Sequence, residues 1–312
     1  MKKVNLVVSL IPLFCFACLT STAMAFGPKV VYGIDNRQEV AEYPDLRFRE
    51  MALSVAGKVR KFKLRSSRFG ENFVDFPHVA LSYSQNVCSK ERFAEQFTLP
   101  HCSGFLIAPD LMMTAGHCVT NQDDCDSSSW VFDYLPQTDY LEKKNIYNCA
   151  RIVQQEVSTS LFKMRDYAII QLDRKVSAER KPLKLRLEGK AHIGTPLVVI
   201  GHPTGLPLKI TDNAKIRSFN WVELLLPIRS IARKRSYFIS DLDTFAGNSG
   251  SPVFNQNTGV VEGILVQGAT DYVNAPGEQC LIPARRAQNN WVASEKSFRV
   301  TQIKNLKTIL RR

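Results

Sequence analysis

Beyond the first 25 residues the chain contains no Cys-x-x-Cys pair, and its five histidines stand apart at positions 78, 101, 117, 192 and 202. Structural zinc sites are built from closely spaced thiolates and imidazoles, so no metal is expected. A second long apolar run is missing as well, which argues against a helical membrane span in the body of the chain. Internal repeats and low-complexity stretches are absent, and proline and glycine are too sparse to mark a linker, so one large unit is expected. Acidic residues are outnumbered by basic ones, 29 against 41, for a formal net charge of +12. Such a balance can serve anionic partners, but the basic residues are spread along the chain and no aromatic motif interleaves them. Neither nucleic-acid binding nor a stable membrane association is expected.

Lys2 and Lys3 precede an apolar run from Val4 to Leu19, and Ala23-Met24-Ala25 stands ahead of Phe26. This order of charge, short apolar core and Ala-x-Ala describes a secretory leader over residues 1–25, so the protein is expected to be secreted or periplasmic. Cys15 and Cys18 leave with it. Cys88, Cys102, Cys118, Cys125, Cys149 and Cys280 remain, an even set bound for an oxidising compartment, and a disulfide framework is expected. Residues 26–29 read as a short propeptide, whose removal after Lys29 would free Val30.

Short apolar runs recur between turn signals: 51–64, 79–83, 104–108, 111–115, 131–134, 152–157, 167–172, 197–200, 210–216, 237–239 and 260–266. This spacing predicts an all-β sandwich or barrel. Ile303, Leu306 and Leu310 have helical spacing and predict a closing helix over 302–310.

Three motifs carry chemistry. Gly247-Asn248-Ser249-Gly250-Ser251-Pro252 is a serine in a glycine-permitted turn, where a hydroxyl and neighbouring N–H groups point one way. Cys102 to Ala108 and Leu111 to Ala115 form a hairpin that delivers His117 beside Cys118. Asp166 immediately precedes the aliphatic run from Tyr167 to Leu172, with Asp173 and Asp133 as the alternatives. The serine turn resembles that of the chymotrypsin/trypsin family of serine peptidases, in the form typical of its bacterial glutamyl-endopeptidase-like branch. The order His, Asp, Ser is the chymotrypsin order.

The resemblance implies two six-stranded antiparallel β-barrels within residues 30–312, their boundary near 175–184, and a C-terminal helix. It implies a peptidase working without a cofactor on protein or peptide substrates, expected as a monomer. His117 would be the general base, Asp166 its orienting acid and Ser249 the nucleophile, with the Gly247 and Ser249 N–H groups as oxyanion hole. The alternative is a catalytically silent member that binds peptides in its cleft. Cys102 and Cys118 bracket the histidine as the family's paired cysteines do; of the three ways to pair the other four, Cys125–Cys149 with Cys88–Cys280 is the one expected.

Specificity carries over less well. Asn248 stands where trypsin-like enzymes have the aspartate that pairs with a freed N-terminus, and a neutral amide cannot make that ion pair. Thr244 matches the threonine with which glutamyl endopeptidases receive a substrate carboxylate, but Leu265 stands in place of their histidine, so cleavage after glutamate is not expected. Asp243 has two readings: floor of a pocket selecting Arg or Lys, with Gly268 on the facing wall, or a loop aspartate capping a turn. On the first, the basic run Ile231 to Ser236 is a candidate autolysis site.

Overall fold

The structure, a computed structural model, describes residues 31–160, 163–219, 235–268, 270–286 and 295–311. The leader, the propeptide, Val30 and residues 231–234 of the autolysis run lie outside the described residues.

Twelve strands form two closed antiparallel barrels of six. In the first, Ile146–Ser160 pairs with Lys163–Leu172, followed around the ring by Leu111–Thr114, Cys102–Ala108, Val55–Arg60 and Ser128–Val131, which returns to the start. The second runs Pro196–Gly201, Pro252–Asn255, Val261–Gln267, Glu295–Arg299, Tyr237–Ser240 and Lys209–Ser218, and the last pairs with the first to close the ring. Residues 173–195 connect the two.

Alternation along the strands explains why the apolar runs are continuous. Leu106, Met112, Ala168 and Ile170 fill the first barrel with Trp130. Their neighbours Phe105, Ile107, Met113, Tyr167 and Ile169 point the other way, onto Val198, Ile200, Phe254, Ile264 and Phe298 of the second barrel. Successive strand residues face opposite sides, so a strand buried on both has no polar face to show. The second barrel is filled by Leu197, Val199, Ile216, Phe238, Val253 and Leu265.

Three expected segments differ. The strand expected from Met51 begins only at Val55, because Leu46–Ala52 is a helix whose N-cap Asp45 accepts the Arg47 N–H and whose Phe48 and Ala52 are buried one turn apart. The run at 79–83 leads into a four-residue helix, Leu81–Ser84. The closing helix is one turn, Leu306–Ile309, because Asn305 is left-handed at φ 55° and interrupts it. Ile303, Leu306 and Ile309 are nonetheless buried against the inter-barrel core.

Three disulfides are present: Cys102–Cys118, Cys125–Cys149 and Cys88–Cys280. The last spans 192 residues and ties the segment after Leu81–Ser84 to the hairpin of Tyr272–Asn274 and Leu281–Pro283. Loop-closure entropy grows with span, so removing both cysteines (Cys88→Ala with Cys280→Ala) is expected to cost about 3–5 kcal/mol in urea unfolding. A loss under about 1 kcal/mol would show that the bridge adds nothing the fold lacks.

Candidate active site

His117 sits in a short 3-10 turn, Gly116–Cys118, at the end of the first-barrel hairpin. Asp166 grips it at two points: Oδ1 accepts the His117 backbone N–H at 2.9 Å and Oδ2 lies 2.7 Å from Nδ1. The second contact fixes Nδ1 as the protonated nitrogen when the imidazole is neutral, leaving Nε2 as acceptor. The histidine side chain is 40% exposed and the aspartate 15%, so the pair lines the surface of the cleft. The other two aspartates weighed for this role are engaged elsewhere, Asp133 with Arg180 and Asp173 with Asn148. Lys58 is buried beneath the turn, where its ammonium donates to the Cys118 carbonyl and to Asp124 at 2.8 Å.

The serine turn belongs to the second barrel but is clamped by the first. Ser103 donates its N–H to the Ser249 carbonyl and its hydroxyl to the Gly247 carbonyl, both at 2.8 Å. The sulfur of Cys118 lies 3.6 Å from the Ser249 carbonyl oxygen, so the nucleophile turn abuts the residue after His117. On the far side Gly250 donates to the Leu265 carbonyl at 2.7 Å, and Leu265 donates to Ser251 at 3.0 Å. Gly247 and Gly250 both take φ of 90°, open to glycine at no steric cost. Among the described residues, neither the Gly247 nor the Ser249 N–H has a protein acceptor. The Ser249 hydroxyl is half-buried and makes no hydrogen bond to His117 here; such contacts often tighten only with substrate bound.

Two depressions, of about 470 and 300 Å³, meet at His101. The first is lined by His117, Cys118 and Asp124 and the second by Pro100, Gly205, Ala246 and Gly247, so an open groove passes the site. Cys102, His117 and Cys118 lie close enough to share a metal ion, but the two sulfurs are bonded to each other and supply no thiolate.

The residues singled out for specificity separate. Asp243 takes the turn-capping role: its Oδ1 accepts the Tyr32 N–H at 2.7 Å, and its Oδ2 accepts the N–H and the side-chain amide of Asn36. Its described hydrogen bonds therefore go to the N-terminal segment, which agrees with the turn-capping one of its two readings. Leu265 is buried in the barrel interior, and only its backbone reaches the serine turn. Thr244 and Gly268 are brought together, around a residue the sequence reading passed over. The Thr244 hydroxyl donates to Oε2 of Glu295, a fully buried carboxylate, and a Cβ on Gly268 would lie 2.8 Å from that same oxygen.

Burial raises the Asp243 pKa to about 7, against the pull of the Tyr32 and Asn36 amides. An acid raised on folding stabilises fully below its unfolded value of 3.8, and that stability is lost as pH climbs through 7. Between pH 5 and 8, wild type is expected to lose about 2–3 kcal/mol relative to Asp243→Asn, which does not titrate. Parallel urea curves across that range would contradict the assignment.

Two antiparallel barrels with a His-Asp pair and a serine turn in the cleft between them define a peptidase of the chymotrypsin kind. Residues 102–264, just over half of the chain, match the family model of the trypsin-like peptidase domain, and the chain belongs to that family. Among solved structures it is similar to a Glu endopeptidase in complex with MPD, at 16% identity over 91% of this chain and 100% of that one, with a TM-score of 0.51. It is also similar to the VesB protease of Vibrio cholerae, at 16% identity over 90% of this chain and 67% of that one, with a TM-score of 0.49. No curated protein matches it.

Proposed function

We propose that this chain is a secreted or periplasmic serine endopeptidase acting on protein or peptide substrates as a monomer. The observation that carries the reading is the double grip of Asp166 on His117, beside a serine turn whose two N–H groups have no protein acceptor. His117 Nε2 takes the Ser249 proton as Oγ attacks the carbonyl carbon, and the Gly247 and Ser249 N–H groups receive the oxyanion. His117 then protonates the leaving amine, and the acyl group stays on Ser249 until water repeats the cycle. Asp166 stabilises the imidazolium formed in each half. These groups suffice for the reaction without a cofactor.

Export is supported by the leader-like residues 1–25 and by three disulfides, bonds that form and persist in oxidising compartments. The second reading is a catalytically silent member that binds peptides in its cleft. Labelling with a fluorophosphonate separates the two: the peptidase takes one equivalent on Ser249. A folded protein that stays unlabelled while still binding peptides would establish the module.

A further inference from the structure

Ala246 precedes Gly247 in the wall of the cleft, and both of its backbone groups are taken by other loops. Its N–H donates to Oδ2 of Asp271 at 2.8 Å, and its carbonyl accepts the Thr204 N–H. None of the described peptide bonds is cis, so in each of them the C=O and the N–H point in opposite directions. A carbonyl drawn toward Thr204 therefore turns the Gly247 N–H the other way, toward the cleft. The same holds one peptide earlier: an Ala246 N–H held by Asp271 turns the Phe245 carbonyl away, and that carbonyl accepts the Asn248 N–H at 3.0 Å.

The two loops that hold Ala246 are joined to each other. Thr204 has left-handed backbone at φ 56°, uncommon for a side chain with a Cβ, and its hydroxyl lies 3.0 Å from that of Tyr272, the residue after Asp271. The Tyr272 ring in turn rests on Phe245, with centroids 5.4 Å apart. Asp271 is itself anchored, because its carbonyl accepts the Ala284 N–H at 2.9 Å and the hairpin it enters is tied down by Cys88–Cys280. Ala246 is exposed in the 300 Å³ depression, so hydrogen bonds rather than packing of its methyl fix its orientation.

We infer that Asp271 is a positioning residue for the oxyanion hole: by holding the Ala246 N–H it fixes the peptide that aims the Gly247 N–H at the substrate carbonyl. The inference rests on the serine-peptidase reading and adds a residue to its machinery. A carboxylate acceptor makes a bond about twice as strong as a neutral one. Without it residue 246 keeps only the Thr204 contact, and the Gly247 N–H is free to swing off the oxyanion. Such a donor acts on the charge that develops in the transition state, so its misalignment lowers kcat and leaves substrate binding intact.

Three measurements test the assignment. On a peptide anilide, Asp271→Ala is expected to lower kcat about tenfold to a hundredfold with KM within about twofold, and Asp271→Asn to recover most of the loss, because its amide oxygen accepts the same N–H. A peptidyl trifluoromethyl ketone, whose adduct on Ser249 carries the oxyanion, should bind Asp271→Ala more weakly by the same factor. By calorimetry, uncleaved peptide should bind Ser249→Ala protein equally well with and without Asp271→Ala, whereas a collapsed hairpin would weaken both ligands. The third measurement needs neither turnover nor the alanine variant. Burial raises the Asp271 pKa to about 6, against the Ala246 N–H and Arg37. In Ser249→Ala protein carrying isotope-labelled alanine, the Ala246 amide resonance should therefore titrate with a midpoint of about 6, and Asp271→Asn should abolish that step. The other groups near this run are Arg37, Tyr272, which stays neutral there because burial raises it, and Asp243, whose own step at about 7 survives in Asp271→Asn. Unchanged kcat in folded Asp271→Ala, a loss that Asp271→Asn does not relieve, peptide binding weakened along with the ketone, or an Ala246 amide blind to Asp271 would each overturn the inference while labelled wild type keeps the peptidase reading. Wild type that takes no fluorophosphonate would sink that reading and this inference with it.

Discussion

Ser249→Ala protein is expected to cleave a peptide substrate about 10⁴- to 10⁶-fold more slowly than wild type, with His117→Ala costing a similar factor and the double variant no more than either alone. The non-additivity follows from the shared step: without Oγ there is nothing for Nε2 to deprotonate, and without Nε2 the hydroxyl is a weak nucleophile. Asp166→Asn is expected to cost about 10⁴-fold while preserving the fold, since an amide turned toward Nδ1 favours the tautomer with its proton on the wrong nitrogen. That variant is the sharper probe, because it preserves shape and changes only which nitrogen carries the proton. Kinetics on one activated ester and one peptide, normalised to folded protein, test all four. A double variant slower than wild type by the product of the two single losses would mean that the two residues act independently.

Gly250→Ala is expected to be severely damaging. The added Cβ would lie 2.0 Å from the Ser103 carbonyl oxygen and 3.0 Å from the Ala115 nitrogen, both backbone, at a φ of 90° that side chains rarely take. Neither barrel can move without disturbing the other, because Ser103 clamps the serine turn from across the cleft. A loss of about 3 kcal/mol or more, together with most of the titratable active sites, is expected. Gly189→Ala is the matched control: it too has positive φ, at 70°, but nothing lies within 4 Å of the new methyl. Only the local strain of about 1 kcal/mol should appear there. Equal losses at the two positions would show that conformation alone, and not the inter-barrel contact, governs Gly250.

The parts of this molecule that were legible in its sequence are those where one local pattern carries the whole signal. Phe105 to Ile107 and Tyr167 to Ile170 read as strands because burial on both faces leaves an unbroken apolar run. His117, Asp166 and Ser249 stand out through their neighbours in the chain, and the fold sets His117 and Asp166 in direct contact. Glu295–Arg299 was invisible for the opposite reason. Glu295, Ser297 and Arg299 are its buried residues beside Phe298, and a strand that buries charge looks like a surface loop. What satisfies Arg299 is remote: it donates to the carbonyls of Arg235 and Gly189, which no local pattern could foretell. Asp243 kept two readings for the same reason: the partners of its carboxylate, Tyr32 and Asn36, lie more than 200 positions away.

The central claim is that Ser249 carries the acyl group during turnover, and trapping that group tests it most directly. Enzyme quenched in acid during hydrolysis of an activated ester should show, by intact mass, one added acyl group, and peptide mapping should locate it on the peptide bearing Ser249. The adduct should vanish in Ser249→Ala and accumulate far more slowly in His117→Ala. Turnover of substrate by folded, disulfide-intact protein with no adduct, or with the acyl group on another residue, would contradict the account.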